Sequence, residues 1–216
     1  MSNNPKPSYK LTEIGEIPEE WEVVRLGDED ICEIVSGGTP STNVKEYWSG
    51  TIPFVIPTDV TNLKNNFLKK TANYITELGL KNSSAKLIPE GAILLTSRAT
   101  IGFCAINKVP VTTNQGFATL ICKNRIYNQY LLYYTRFIKS KLESLASGST
   151  FKEISKTSLR RLKLPLPPLP EQQKIASILS TVDETIQKTD EVIKKTQELK
   201  KGLMQQLLPG KVRVKI

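Results

Sequence analysis

The segment from Pro170 to Lys201 constrains this chain most, because after the run Pro165-Leu166-Pro167-Pro168-Leu169-Pro170 neither proline nor glycine interrupts the sequence until Gly202. Proline fits the first helical position, where its missing N–H would lack an intrahelical partner anyway, so a long helix is predicted from there on. Apolar residues recur at Ile175, Ile178, Leu179, Val182, Ile186, Val192, Ile193, Leu199, Leu203 and Leu207, forming a broad stripe with charges on the other faces. About 35 helical residues would make a rod ~50 Å long at the usual rise per residue. A chain of 216 residues has room for one globular domain and an appendage. Such a domain is too small to cover the whole stripe, so a partner helix is the expected cover. The alternative is a helix folded back on its own domain.

Ahead of the Pro-rich run the pattern is that of an α+β domain. Ile17 to Trp21 reads as a turn docking a tryptophan, followed by a short strand from Glu22 to Leu26 and another short element from Ile31 to Val35. Ser36-Gly37-Gly38-Thr39-Pro40-Ser41 reads as a loop. Ile52 to Pro57 is apolar but broken by prolines, which predicts an edge or corner strand. Ala92 to Thr96, Ile101 to Ile106 and Thr119 to Cys122 read as buried strands. Asn128 to Leu145 carries apolar residues at helical spacing and predicts one helix, with Gly148 as its stop. The Pro-rich run itself reads as a stiff polyproline-like connector and a domain boundary.

Composition narrows the chemistry. The sequence contains no histidine, which removes the commonest general base and metal ligand. Cys32, Cys104 and Cys122 are too widely spaced for a zinc site or a disulfide framework and read as reduced core thiols. No apolar run approaches the ~20 residues that span a bilayer. The first ten residues lack the apolar stretch of a secretory signal, so a cytoplasmic protein is expected. Net charge is +9, and the surplus is concentrated: 18 basic against 6 acidic residues lie between Ile34 and Leu164. That excess is suited to a polyanion such as the phosphate backbone, with solubility alone as the bland alternative. Glu198-Leu199-Lys200 is nuclease-like, but it falls on the helical segment with Asp190 as its nearest acidic companion.

The ordered motifs resemble a known family. Gly15-Glu16-Ile17-Pro18-Glu19-Glu20-Trp21, Gly37-Gly38-Thr39-Pro40-Ser41, Tyr47-Trp48-Ser49-Gly50-Thr51-Ile52-Pro53-Phe54, Thr100-Ile101-Gly102 and Asn114-Gln115-Gly116 are similar to segments of type I restriction-modification specificity subunits. So are the approach from Ser147-Gly148-Ser149 to Leu164 and the run Leu164 to Gln172. The resemblance implies a DNA target-recognition domain over residues 1–168, a spacer and dimerisation helix over 169–208, and a tail over 209–216. It implies a protein that selects the DNA site, without catalysis or cofactor of its own, while modification subunits methylate adenine and restriction subunits translocate and cut. Usual members carry two recognition domains and two spacers, whereas this chain carries one of each. The expectation is therefore a homodimer, antiparallel along the helices through Ile175, Leu179, Val182, Ile186, Ile193 and Leu203, recognising an interrupted inverted repeat. Pairing with a different half-subunit is the alternative, and an adaptor that binds only protein is the competing class.

Segments shared by members that read different sequences cannot choose the bases, so base readers are expected between the motifs. That points to the stretch from Thr58 to Lys86, where Lys64, Asn65, Asn66, Lys69, Lys70 and Asn73 offer groups for base edges and phosphates. Thr42, Lys45, Arg98 and Thr100 are expected at phosphates. Asn114 and Gln115 could pair with adenine, but they belong to a shared motif and are read as loop braces. Lys152, Lys156, Arg160, Arg161 and Lys163 form a second basic cluster, facing either DNA or an acidic partner.

Overall fold

A computed structural model describes residues 8–147 and 152–215. The expected stop at Gly148, and the Ser147-Gly148-Ser149 motif beyond Ser147, lie outside the described residues. The chain begins with three short strands, β1 (Tyr9–Thr12), β2 (Gly15–Pro18) and β3 (Glu22–Arg25), followed by β4 (Cys32–Ser36), β5 (Trp48–Val55) and α1 (Pro57–Thr61). Then come β6 (Phe67–Leu68), β7 (Asn73–Ile75), α2 (Glu77–Lys81), β8 (Ile93–Thr96), β9 (Cys104–Asn107), β10 (Thr112–Thr113) and β11 (Phe117–Cys122). The order ends with α3 (Asn128–Phe137), α4 (Lys139–Ser144), α5 (Lys156–Arg161), β12 (Lys163–Leu166) and α6 (Leu169–Leu207). The mixed α+β class and the long C-terminal helix are as the sequence predicts. Among the described residues, no helix is long and apolar enough to cross a membrane.

The chain divides into two compact units, one reaching to Ala176 and the other starting at Ser177. At the centre of the first lies a five-stranded sheet in the order β4-β11-β8-β9-β6. All four residues of β8 are buried, because both faces of this sheet are covered. Ile93 and Leu95 point into a core shared with Leu131, Leu132 and Leu164, while Leu94 points into a second core with Val35, Val55 and Phe117. Continuous apolar strands are the sequence signature of that arrangement, and alternation is lost for the same reason.

Three local expectations change. The segment Ile52 to Val55 is not at an edge: β5 is the middle strand of a second sheet, ordered β10-β5-β7. Proline survives there because the neighbours are only two and three residues long, and the Pro53 carbonyl accepts the Thr112 hydroxyl at 2.9 Å. The helix expected over 128–145 is two helices that meet at Ile138, whose φ of −91° and ψ of 18° depart from helical values. The bend seats Ile138 and Leu142 in the same core, and neither proline nor glycine marks it. Pro165 belongs to β12, paired antiparallel with β3, rather than to a free connector.

The first turns of α6 are part of this core. Gln172 is fully buried; its Oε1 accepts the Tyr127 amide at 2.8 Å, and its Nε2 donates to the Arg125 carbonyl at 3.0 Å and the Pro167 carbonyl at 2.8 Å. Glu171 accepts the Trp21 indole N–H at 3.0 Å, which is the docking that the Ile17 to Trp21 turn predicts. Ile175 packs against the core and Ala176 is buried, so Ile175 is a domain residue and not part of the free stripe.

In the second unit the apolar stripe lies open: Leu179, Val182, Ile186, Ile193 and Leu203 are between 38% and 54% exposed. The hydroxyls of Thr181, Thr185, Thr189 and Thr196 each donate to the carbonyl four residues back.

Replacing the buried Gln172 by alanine leaves the Tyr127 amide without its acceptor. Removing one partner of a buried hydrogen bond costs about 1–3 kcal/mol, so Gln172→Ala should lower unfolding stability by that amount in a urea titration. An unchanged midpoint would show that Gln172 does not hold the helix root.

Candidate nucleic-acid interface

Two loops far apart in sequence close on each other beside β5. Gly37 and Gly38 allow it: a Cβ on Gly37 would sit 2.1 Å from the Asn114 carbonyl, and one on Gly38 would sit 2.2 Å from the Ser84 hydroxyl. The Gly38 amide donates to the Thr113 carbonyl at 2.9 Å, and the Thr39 hydroxyl donates to Gln115 Oε1 at 2.6 Å. Asn114 Oδ1 accepts the Gly116 amide at 2.9 Å. Both residues of the Asn114-Gln115 pair therefore brace loops, in line with their reading from the sequence.

Next to this junction lies a recess of about 410 Å3, lined by Thr39, Thr42, Trp48, Phe54, Ile56, Asn73 and Asn114. Its floor is aromatic: Trp48 meets Phe54 edge-on with ring centroids 5.2 Å apart, and the Trp48 indole donates to the Ser41 carbonyl at 3.0 Å. Asp59 and Thr71 brace the backbone of the residues that line the recess. Asp59 Oδ2 accepts the Ile56 amide at 2.9 Å, and the Thr71 hydroxyl is shared between Phe54 O at 2.8 Å and Asp59 Oδ2 at 2.9 Å. These bonds fix the link that carries Lys69 and Lys70 into β7, where Asn73 pairs with Phe54.

The expected site residues separate into groups. Thr42 and Asn73 wall the recess; Lys45, Lys69 and Lys70 are exposed and flank it in sequence, three residues before Trp48 and three or four before Asn73. Lys64 and Asn65 are exposed on the link to β6, which pairs with β9 in the other sheet, and Asn65 Oδ1 accepts the Phe67 amide at 2.9 Å. Asn66 is only 7% exposed; its Nδ2 donates to the Tyr133 hydroxyl at 2.9 Å and its Oδ1 accepts from Arg136 at 2.6 Å. That amide ties β6 to α3 and does not face a base. Arg98 pairs with Glu153 at 2.9 Å, and Thr100 lies beyond Ala99, whose φ of 55° makes this an exposed left-handed turn.

In the second cluster Lys163 pairs with Glu13, the Arg160 stem packs over Gly27, and Lys152, Lys156 and Arg161 are exposed. The cysteines are thiols. Burial raises Cys104 to about 11, and a hydrogen bond with Cys122 leads the causes that hold Cys32 above the usual thiol range.

Sequence reasoning did not anticipate Asp59 and Thr71, whose partners lie 12 and 17 residues away. Trp48 and Phe54 stood in a motif, but nothing in their spacing signals a shared floor.

Residues 18–200 match the model of the type I restriction modification DNA specificity domain. The chain belongs to this family. It is 42% identical over 181 residues to the type I restriction enzyme MjaIX specificity subunit of Methanocaldococcus jannaschii, covering 83% of this chain and 41% of that protein. It is 34% identical to the putative MjaX specificity subunit of the same organism, covering 96% of this chain and 47% of that protein. A chain solved in work on complex assembly and conformational transition of the type I R-M system superposes with a TM-score of 0.70 at 26% identity, over 89% of this chain and 46% of that one. The HsdS subunit from Thermoanaerobacter tengcongensis gives a TM-score of 0.61 at 25% identity, over 86% and 42%. This specificity-domain chain thus spans less than half the length of these relatives.

Lys45, Lys69 and Lys70 are exposed and lie within four residues in sequence of Trp48 or Asn73, which line the recess. If they meet phosphates, each replacement by alanine should reduce the slope of log binding constant against log salt by about 0.9, with the preferred sequence unchanged. An unaltered slope in all three variants would exclude this face as the phosphate track.

Proposed function

We propose that this chain is a DNA-reading specificity subunit of a type I restriction-modification complex, catalysing nothing itself and directing adenine methylation and cleavage by partner subunits. The observation that carries the reading is the family match over residues 18–200. The recess supports it, because polar side chains in a fixed wall and exposed lysines close to them in sequence are what base edges and phosphates require.

The active form is a homodimer joined along α6, which restores two recognition domains from a chain less than half as long as its relatives. The stripe carries its own register. From Leu179 the seam steps by three and four residues through Val182, Ile186, Thr189, Ile193, Thr196, Lys200, Leu203 and Leu207. Run antiparallel so that Val182 of one copy meets Leu207 of the other, the seam pairs Ile186 with Leu203, Thr189 with Lys200, and Ile193 with Thr196. Apolar meets apolar at the ends, and the polar positions gather in the middle. Ile175 is left out of this seam, as its place in the domain core requires. A shift by one heptad toward the N-terminus would instead set Lys200 against the apolar Val182 and Leu207 against Ile175, which that core already holds.

Two-fold symmetry of such a dimer matches an inverted repeat with a gap between its halves. Light scattering on the purified chain should give twice the chain mass, and Ile186→Asp, which puts a charge into the seam, should return it to the monomer mass with the domain folded. A wild-type monomer at micromolar concentration would contradict the homodimer.

A further inference from the structure

Adenine is read in the major groove by a carboxamide that uses both ends at once, its oxygen accepting from the exocyclic N6 and its nitrogen donating to N7. Of the five amides that the sequence points to for such contacts, four have their oxygen engaged. Asn65 Oδ1 accepts the Phe67 amide, Asn66 Oδ1 accepts from Arg136, Asn114 Oδ1 accepts the Gly116 amide, and Gln115 Oε1 accepts the Thr39 hydroxyl. Asn73 differs: neither end of its carboxamide is hydrogen-bonded among the described residues, and it walls the recess beside Thr42.

Its backbone is held firmly. Asn73 sits on β7 opposite Phe54, and the Thr71 hydroxyl and Asp59 fix the two residues before it. A reading group on a strand loses little freedom when it binds, whereas one on a loose loop must first be ordered. Lys69 and Lys70 precede it closely enough to reach phosphates beside the base it addresses.

We infer that Asn73 is a specificity-determining residue that reads an adenine in each half of the target. The inference rests on the DNA-reading function proposed above. Its chemistry predicts more than a loss. Asn73→Asp keeps the shape but replaces the donor with a second acceptor, which suits the N4 amino group of cytosine.

The test is selection of duplexes from a random pool by the full-length chain and by its Asn73→Asp and Asn73→Ala variants, with circular dichroism confirming the fold of each. The wild type should show one adenine per half-site that Asn73→Ala loses, with a preference of about 5- to 150-fold relaxed there and all other positions retained. Asn73→Asp should shift that same position toward cytosine. If the wild type selects a sequence and folded variants keep every base preference, or weaken all positions uniformly, the inference is overturned while the DNA-reading function stands. If the wild type itself enriches no sequence, both fall.

Discussion

Gln172 is a polar side chain with no exposed surface, and it answers three backbone groups at once: the Tyr127 amide and the Arg125 and Pro167 carbonyls. A buried carboxamide is tolerated only when such partners are present, because its desolvation is otherwise uncompensated. The consequence is that the root of α6 is part of the recognition unit. The segment from Arg125 to Tyr127, which leads into α3, the strand β12 that ends at Leu166, and the first turn of α6 meet at this one side chain. Arg125 extends the junction to the surface, reaching Glu22 at 2.7 Å and Asp30 at 2.8 Å, and its hydrogen bond holds the Asp30 carboxyl below the ordinary range. These outer pairs are exposed and contribute little stability. The buried amide and the packing of Ile175 and Ala176 are what secure the helix.

The parts of the fold that were legible in the sequence are those where one physical cause acts locally. Uninterrupted apolar tetrads give the buried strands β8 and β9, and the lack of a breaker gives α6. What escaped depends on residues far apart. The bend at Ile138 has no breaker in the sequence, because it is imposed by the core that Ile138 and Leu142 share. Pro53 reads as an edge residue, yet β5 is central since its two neighbours are too short to demand every ladder bond. Ile175 follows the helical period of the stripe, and periodicity alone cannot tell a residue that packs at home from one left for a partner.

At the candidate site, residue type located the right stretch but could not rank its members. Asn65, Asn66 and Asn73 look equivalent as letters; only their partners distinguish a turn brace, a buried tie between β6 and α3, and an amide with both ends unengaged. The recess itself needs Gly37 and Gly38 to let the loops near Ser84 and Asn114 approach within contact that any Cβ would block. That closeness explains a Gly-Gly pair that the sequence showed only as part of a loop.

In the account proposed here, one fixed reading face per chain and a symmetric helical seam together set both the bases and the distance between them. The gap is therefore the sensitive quantity. Binding of the full-length chain to duplexes carrying its selected half-site twice, inverted, with the gap varied one base pair at a time, measures it directly. A sharp optimum at a single gap is expected, with loss of affinity when one half-site is turned to a direct repeat. Affinity indifferent to gap and orientation would contradict it.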